Sequence, residues 1–527
     1  ALQRLPDLEQ VLDSRFDLWG EAALRTAEGP TYAFFAERLP PLRYVNTAFH
    51  HYPIVLSAPN SSVKARFVSN GSGVNLLAVT STWKDEGLVP VEFLLPNADG
   101  RVETFGSDPG RLEGPTLAEG WLPVVQLSFT TAVAVVEQTV FAALDPDDAV
   151  VHLRFRSSAP QTLIARFGGT APLEDVDGVL RASGGRVLAR HDTSFRFEPE
   201  TRSLIAALSP EHPGHLALPT RGHAPAVQGL DASAWEREQL ACVGYWRSVV
   251  ERGASIHTGE AHVDEAWRAL TVGPLSLVQG DTLFYGHGNL YETTFAAECG
   301  DAVRALLALG VPNAQRLVRP LLERPLQQGI ELSDLSYKLQ LFGWCHAFLK
   351  SPEWSRAQLD LLLPATEQAI GWLETKTGLV PAQAYCGDIQ TPCHNLYANA
   401  AFWRGLRDLT LALQDLGEPA DLAAAARFAP IAEALRTRVL EAVSASERLD
   451  VQPPFIPIAL FGVEQPYERL TDSMQGAYWN LVAPFVYDSG IFGPHSTRAR
   501  AMQDWQAERG GVAMWMVRFH QHSGLFA

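Results

Sequence analysis

The feature that most constrains this chain is a change of hydrophobic period near residue 230. Before it, apolar and polar residues alternate. In "AVVHLRFRS", Val151, Leu153 and Phe155 alternate with His152, Arg154 and Arg156. A period of two marks a strand with one buried face. "VVQLSFTTAVAVVEQTVFAAL", "LIARFGG" and "TSFRFEPETRSLIAAL" continue the pattern, and turns such as "NADG", "SDPG" and "ASGG" separate the runs. Many strands joined by short turns predict an antiparallel β-sandwich over residues 1–230.

Beyond that point the period becomes helical. "DASAWEREQLACVGYWRSVVERG" predicts a connecting helix over 231–254. Phe295, Cys299, Val303 and Leu306 share one face before the stop signal of Gly310 and Pro312. Phe402, Leu406, Leu409 and Leu413 share another, and Phe428, Ile431, Leu435 and Val439 a third. Further helices are predicted near 263–278, 313–326, 336–350, 354–374, 472–487 and 495–509, about nine in all between 255 and 527.

Composition narrows the partners. The 527 residues are 46% hydrophobic and 19% charged, enough for more than one core. A formal net charge of −17 repels phosphate backbones, so nucleic acid is not an expected partner, whereas a neutral sugar is compatible. No run approaches the ~20 apolar residues of a membrane span. The chain begins with Ala rather than Met, which leaves both a cytoplasmic and an exported location open. The five cysteines form no CxxC pair, and the pairs His50–His51 and His520–His522 lack the i, i+4 spacing of ligands on one helical face, so neither a metal nor any other cofactor is expected. Cys386 and Cys393 either bridge the loop between them or stay as buried thiols.

A sandwich, a linker helix and a helical array, in that order, resemble the six-hairpin glycosidases, in which a sandwich precedes an (α/α)6 barrel. The resemblance implies a barrel over 255–527. Such a barrel has twelve helices, so the last hairpins are expected to lie past "FHQHSGLFA", with a genuine terminus as the rival reading.

Four stretches carry candidate chemistry. "AYCGDIQTPCHNLYANAAFWRGLRDL" contains Asp388, the lone carboxylate between Glu374 and Asp408. The framework resembles the general-acid region of glucoamylase-type and processing α-glucosidase I-type enzymes, with Cys386 in place of a serine. That resemblance implies a proton donor at Asp388. Partial burial near Tyr385 and Tyr397 would suit the part by raising the carboxyl's pKa. The rival readings are an Asx-turn or a helix cap, and Asn395 is the better-placed cap. "GDTLFYGHGNLYETTFAAECGDAVRALLALG" resembles the segment in which glucoamylase-type enzymes grip the terminal sugar with an Arg-Asp pair, and it puts Tyr291 and Glu292 in those positions. Glu292 equally suits a helix N-terminus.

"IELSDLSYKLQLFGWCHAFLK" offers Asp334 and Lys338 as pocket residues, with ordinary capping as the alternative. "YERLTDSMQGAYWNLVAPFVYDSG" resembles the tyrosine–tryptophan segment before a late barrel helix. It implies sugar contacts from Tyr478 and Trp479 and a hydroxyl partner in Gln475, against core packing. In these families the general base is a late Glu. No residue matches it, and Glu464, Glu468, Asp472 and Asp488 are the late alternatives.

These readings converge on a glycoside hydrolase acting with inversion on an oligosaccharide or glycoside, with Asp388 as general acid and Tyr385 beside it. A non-catalytic carbohydrate-binding protein, or a phosphorylase or epimerase on the same scaffold, is the alternative.

Overall fold

A computed structural model of the protein describes residues 5–38, 54–61, 63–77, 88–97, 100–145, 147–222, 230–286 and 292–518. By the density of internal contacts the chain divides into two compact units. One is Leu39–Leu317, and the other joins Ala1–Arg38 to Val318–Ala527.

The chain opens in helices, not strands: α1 (Leu8–Asp13), α2 (Leu18–Ala23) and α3 (Tyr32–Ala36). The local reason is capping. Asp7 accepts from the Gln10 N–H at 2.9 Å while Gln10 Oε1 accepts from the Asp7 N–H at 3.0 Å, a closed capping box. Asp17 caps α2 through the Gly20 N–H, and its carboxylate also accepts the N–H groups of Met514 and Trp515 at 2.7 and 2.8 Å. Buried Arg518 donates to the carbonyls of Val11 and Leu12. These bonds tie the opening helices to the last residues of their own unit. Among the described residues the strands therefore begin at Ile54, and the opening segment of the expected β-rich region is helical.

Among the described residues the two large antiparallel sheets of the sheet unit hold sixteen strands. They are β1 (Ile54–Leu56), β2 (Ala65–Phe67), β3 (Gly73–Leu77), β4 (Leu88–Pro96), β5 (Val102–Thr104), β6 (Leu112–Ala118), β7 (Leu122–Thr130), β8 (Val135–Ala142), β9 (Val150–Ser157), β10 (Gln161–Phe167), β11 (Leu173–Val176), β12 (Val179–Ala182), β13 (Val187–His191), β14 (Phe195–Glu198), β15 (Ser203–Leu208) and β16 (Gly214–Pro219). One eight-stranded sheet runs β1-β2-β3-β4-β10-β15-β14 with β5 on β4, the other runs β11-β12-β13-β16-β9-β8-β7-β6, and β17 (Val278–Gln279) pairs with β18 (Thr282–Leu283) apart from both. Phe67, Phe93, Phe105, Phe129, Leu153 and Phe155 fill the space between them, with Phe93 and Phe155 meeting edge-on at 5.0 Å.

On β9 the expected alternation is present: Val151, Leu153 and Phe155 are fully buried. Its other face is not left to water. Helix α4 (Ala232–Glu251), begun by Asp231 accepting from the Ala234 N–H, packs Trp235, Cys242 and Trp246 against Trp121, Leu122, Phe141 and Val150. His152 lies stacked on Phe141 beneath it, and the Arg154 guanidinium lies 4.5 Å from the Trp235 ring. Burial, reinforced by Arg190, pulls the His152 imidazole down to about 3, so the ring is neutral. Helices α5 (Ala261–Ser276) and α6 (Ala296–Ala308) follow. Cys299, Val303 and Leu306 are buried on α6 as the pattern predicts, and Gly310 ends it at a φ of +73°.

The other unit continues with α7 (Val318–Glu323), α8 (Glu331–Leu349), α9 (Pro352–Ile370), α10 (Leu396–Leu416), α11 (Pro419–Ser446), α12 (Met474–Asp488) and α13 (Thr497–Glu508). Phe402, Leu406, Leu409 and Leu413 are buried on α10. Glycines let α8 and α10 approach closely. A Cβ on Gly405 would meet Leu339 Cβ at 2.9 Å and the Ser336 carbonyl at 3.0 Å, and one on Gly343 would meet Asp408 Cβ at 2.7 Å. His346 closes the far end, with Nδ1 2.8 Å from Ser355 Oγ on α9 and Nε2 3.1 Å from Asp415 on α10.

Candidate active site

Asp388 is on the tip of a hairpin whose arms are β19 (Gln383–Ala384) and β20 (Pro392–Cys393). Two backbone bonds close the tip, Tyr385 N–H to Thr391 O at 3.1 Å and Cys386 N–H to Ile389 O at 3.3 Å. Asn395 does two jobs at the base. Its Oδ1 accepts from the Ala398 N–H to cap α10, and its Nδ2 donates to the Tyr385 carbonyl. Cys386 and Cys393 are both free and buried, so no bridge closes the loop. Burial raises both thiols, Cys393 to about 12, which keeps them protonated and unreactive.

The Asp388 carboxyl is exposed, not partly buried between Tyr385 and Tyr397. Its partner is Tyr478 on α12, whose hydroxyl donates to Asp388 Oδ2 at 2.6 Å. Tyr397 bonds instead to the Tyr337 hydroxyl, and both rings pack edge-on against Phe485. Tyr385 is 1% exposed and donates to Glu464 at 2.9 Å.

Asp334 and Lys338 are each 3% exposed and lie one turn apart on α8. Asp334 accepts from Arg324 and from the Gln327 N–H, both at 3.2 Å, and Lys338 donates to the carbonyls of Leu322 and Arg324. Together they hold the backbone of residues 322–327. That segment borders the hairpin: a Cβ on Gly387 would lie 3.6 Å from Gln327 Nε2. Gln383, in the hairpin arm, donates to Ser333 Oγ at 2.8 Å. The two polar α8 residues thus brace the ground beside Asp388 from within the fold.

Helix α12 divides the remaining candidates. Gln475 is half-buried in its first turn, one turn before Tyr478. Trp479 is fully buried, with Nε1 donating to the Ile456 carbonyl and its ring stacked on Phe455 at 5.7 Å, so it packs as core. Tyr291 lies outside the described residues. Glu292 belongs to the sheet unit, half-buried four residues before α6, whose N-cap is Phe295. Buried Arg66 on β2 feels its charge: burial lowers the guanidinium to about 10 and Glu292 opposes the shift.

Sequence reasoning named Glu464 only as one of four late acids, without a motif to single it out. Glu464 is 3% exposed and accepts four hydrogen bonds. Oε1 takes the hydroxyls of Tyr385 and Tyr467 at 2.9 and 2.5 Å, and Oε2 takes the N–H groups of Ile458 and Ala459 at 2.6 and 2.9 Å. Burial raises its carboxyl while these bonds oppose the shift. Every neighbour donates, so the pocket is built for the ionised form, and with all four lone-pair positions occupied Glu464 has none left to activate water. No local signal marks it, because three of its four donors come from outside its own turn. Of the other late acids, Glu468 is exposed, Asp472 pairs with Arg469, and burial raises Asp488.

Among the described residues no group of three or more His, Cys, Asp or Glu side chains could hold a metal ion, and no helix is long and apolar enough to cross a membrane. No protein-family profile and no curated protein matches the sequence. Solved structures do match. A bacterial glucoamylase complexed with acarbose aligns over 79% of this chain and 70% of its own, with a TM-score of 0.53 at 11% identity. A family GH92 glycosyl hydrolase aligns over 88% and 73%, with a TM-score of 0.43 at 12% identity. A putative kojibiose phosphorylase from the human microbiome aligns over 72% and 67%, with a TM-score of 0.34 at 10% identity. The chain has a six-hairpin glycosidase-like fold, antiparallel β-sheets followed by a helical region, at low sequence identity to the proteins that share it.

Proposed function

We propose that the protein is a carbohydrate-active enzyme that hydrolyses a glycosidic bond with inversion, with Asp388 as the general acid. The observation that carries this reading is the pairing of an exposed carboxyl on a closed hairpin tip with the hydroxyl of Tyr478, a residue that is itself buried. A proton donor must reach the leaving oxygen and yet hold one orientation, and this arrangement supplies both. The fold shared with a glucoamylase that binds acarbose supports a sugar as the ligand.

In this mechanism protonated Asp388 gives its proton to the departing glycosidic oxygen as the bond to the anomeric carbon breaks. A separate carboxylate activates the water that attacks the opposite face. Tyr478 holds the Asp388 carboxyl in one rotamer. Gln475, one turn earlier on the same helix, bonds a sugar hydroxyl. Asp334 and Lys338 contribute by fixing the neighbouring backbone. Glu292, in the sheet unit, is a proposed sugar-binding carboxylate.

The test is turnover of a panel of alkyl glycosides, whose leaving groups need a proton, by the wild type and by Asp388→Asn, with the anomer of the released sugar read by NMR. Loss of about 10²-fold or more in kcat for Asp388→Asn supports the assignment. Unchanged turnover removes Asp388 as the acid, and a product of retained configuration removes inversion.

A further inference from the structure

We propose that Glu464 is a positioning residue that couples the two segments holding Asp388, acting through the hydroxyl of Tyr385. The proposal rests on the general-acid reading of Asp388.

Asp388 is held from two directions. The hairpin carries it, and Tyr478 on α12 bonds its carboxyl. Glu464 lies where the supports of both meet. On the hairpin side, Oε1 holds the hydroxyl of Tyr385, the first residue after the β19 arm. On the α12 side, the same oxygen holds the hydroxyl of Tyr467. Tyr467 packs against the start of α12, where a Cβ on Gly476 would lie 3.1 Å from its ring and 2.4 Å from the Leu470 carbonyl. Oε2 binds the N–H groups of Ile458 and Ala459, and that stretch is itself laid along the base of the hairpin: the Leu396 N–H donates to the Ile458 carbonyl at 2.8 Å and the Leu460 N–H to the His394 carbonyl at 2.9 Å.

One buried carboxylate therefore fixes the distance between the hairpin and the approach to α12, and with it the meeting of Asp388 and Tyr478. Four charge-assisted bonds at one buried group make this joint stiff. A change there moves Asp388 relative to Tyr478 without touching any group that meets the substrate.

The test compares Tyr385→Phe, which deletes one hydroxyl and keeps the ring, with Glu464→Gln and Asp388→Asn. Each is assayed on glycosides with a good leaving group (dinitrophenyl) and a poor one (alkyl). A dinitrophenolate leaves without a proton, so only the alkyl substrate reports on the acid. For Tyr385→Phe the expected result is a loss of about tenfold in kcat on the alkyl glycoside, with KM and the dinitrophenyl rate changed by less than about twofold. Circular dichroism confirms that the variant is folded. Glu464→Gln is expected to show the same selectivity and a larger loss. Equal loss on both substrates, or none, in folded Tyr385→Phe while Asp388→Asn remains selective would overturn the positioning role alone. An Asp388→Asn variant without leaving-group selectivity would overturn the general-acid reading and the positioning role with it.

Discussion

Tyr478 donates its hydroxyl hydrogen to Asp388 Oδ2 across 2.6 Å, joining the first half of α12 to a hairpin tip 90 residues earlier. The tyrosine is 9% exposed and the acid is exposed, so a buried residue's hydroxyl sets the direction of an exposed carboxyl. Tyr478→Phe keeps the ring and removes the bond. Bonds to a charged group are worth about 1.5–3 kcal/mol, so kcat is expected to fall about tenfold with KM nearly unchanged, as steady-state kinetics will measure.

Asn395 caps α10 and also holds the carbonyl of Tyr385. Asn395→Ala removes both bonds from a site that is 1% exposed. The loss of the cap costs about 1 kcal/mol, and the unpaired Tyr385 carbonyl adds a comparable amount. Urea unfolding is expected to show a destabilisation of about 2 kcal/mol, and alkyl-glycoside turnover is expected to fall as the hairpin loosens.

Gly405 allows α10 to pack on α8. In Gly405→Ala the new methyl meets Leu339 Cβ at 2.9 Å and the Ser336 carbonyl at 3.0 Å, and backbone cannot step aside cheaply. Overpacking costs about 1–3 kcal/mol, against about 1 kcal/mol gained in helix propensity. Net destabilisation in a thermal melt is the expected outcome, and a variant more stable than wild type would contradict this packing.

His152 makes the sheet unit sensitive to acid. Its ring titrates at about 3 in the fold, against the ordinary value of 6.5. Between those values the unfolded chain binds a proton that the folded chain refuses, so stability falls as pH drops from 6.5 toward 3. The slope is about 1.4 kcal/mol per pH unit for this one group. His152→Gln removes the titration, and urea unfolding at pH 7 and pH 5 is expected to show a flatter acid limb in the variant.

Much of the architecture was legible because it is written in local periods. The alternation of Val151, Leu153 and Phe155 is that of β9, and the spacing of Phe402, Leu406, Leu409 and Leu413 is the buried face of α10. Asn395 was readable as a cap because a cap bonds within its own first turn. The opening helices were less visible. They are short, and the contacts that seat α1 and α2 come from Met514, Trp515 and Arg518 at the other end of the chain.

The sequence by itself determined the two regimes of folding, a helix read over 231–254 and observed at Ala232–Glu251, and the presence of an isolated acid at Asp388. Only the tertiary structure decided what surrounds that acid. It gave Asp388 to Tyr478 rather than to Tyr385 or Tyr397, turned Tyr385 toward Glu464, and buried Trp479 and the Asp334–Lys338 pair. The physical reason is range. Periods and caps act over a few residues and are recorded in neighbouring letters. A hydrogen bond acts over about 3 Å, and which groups come that close is settled by how helices and hairpins pack.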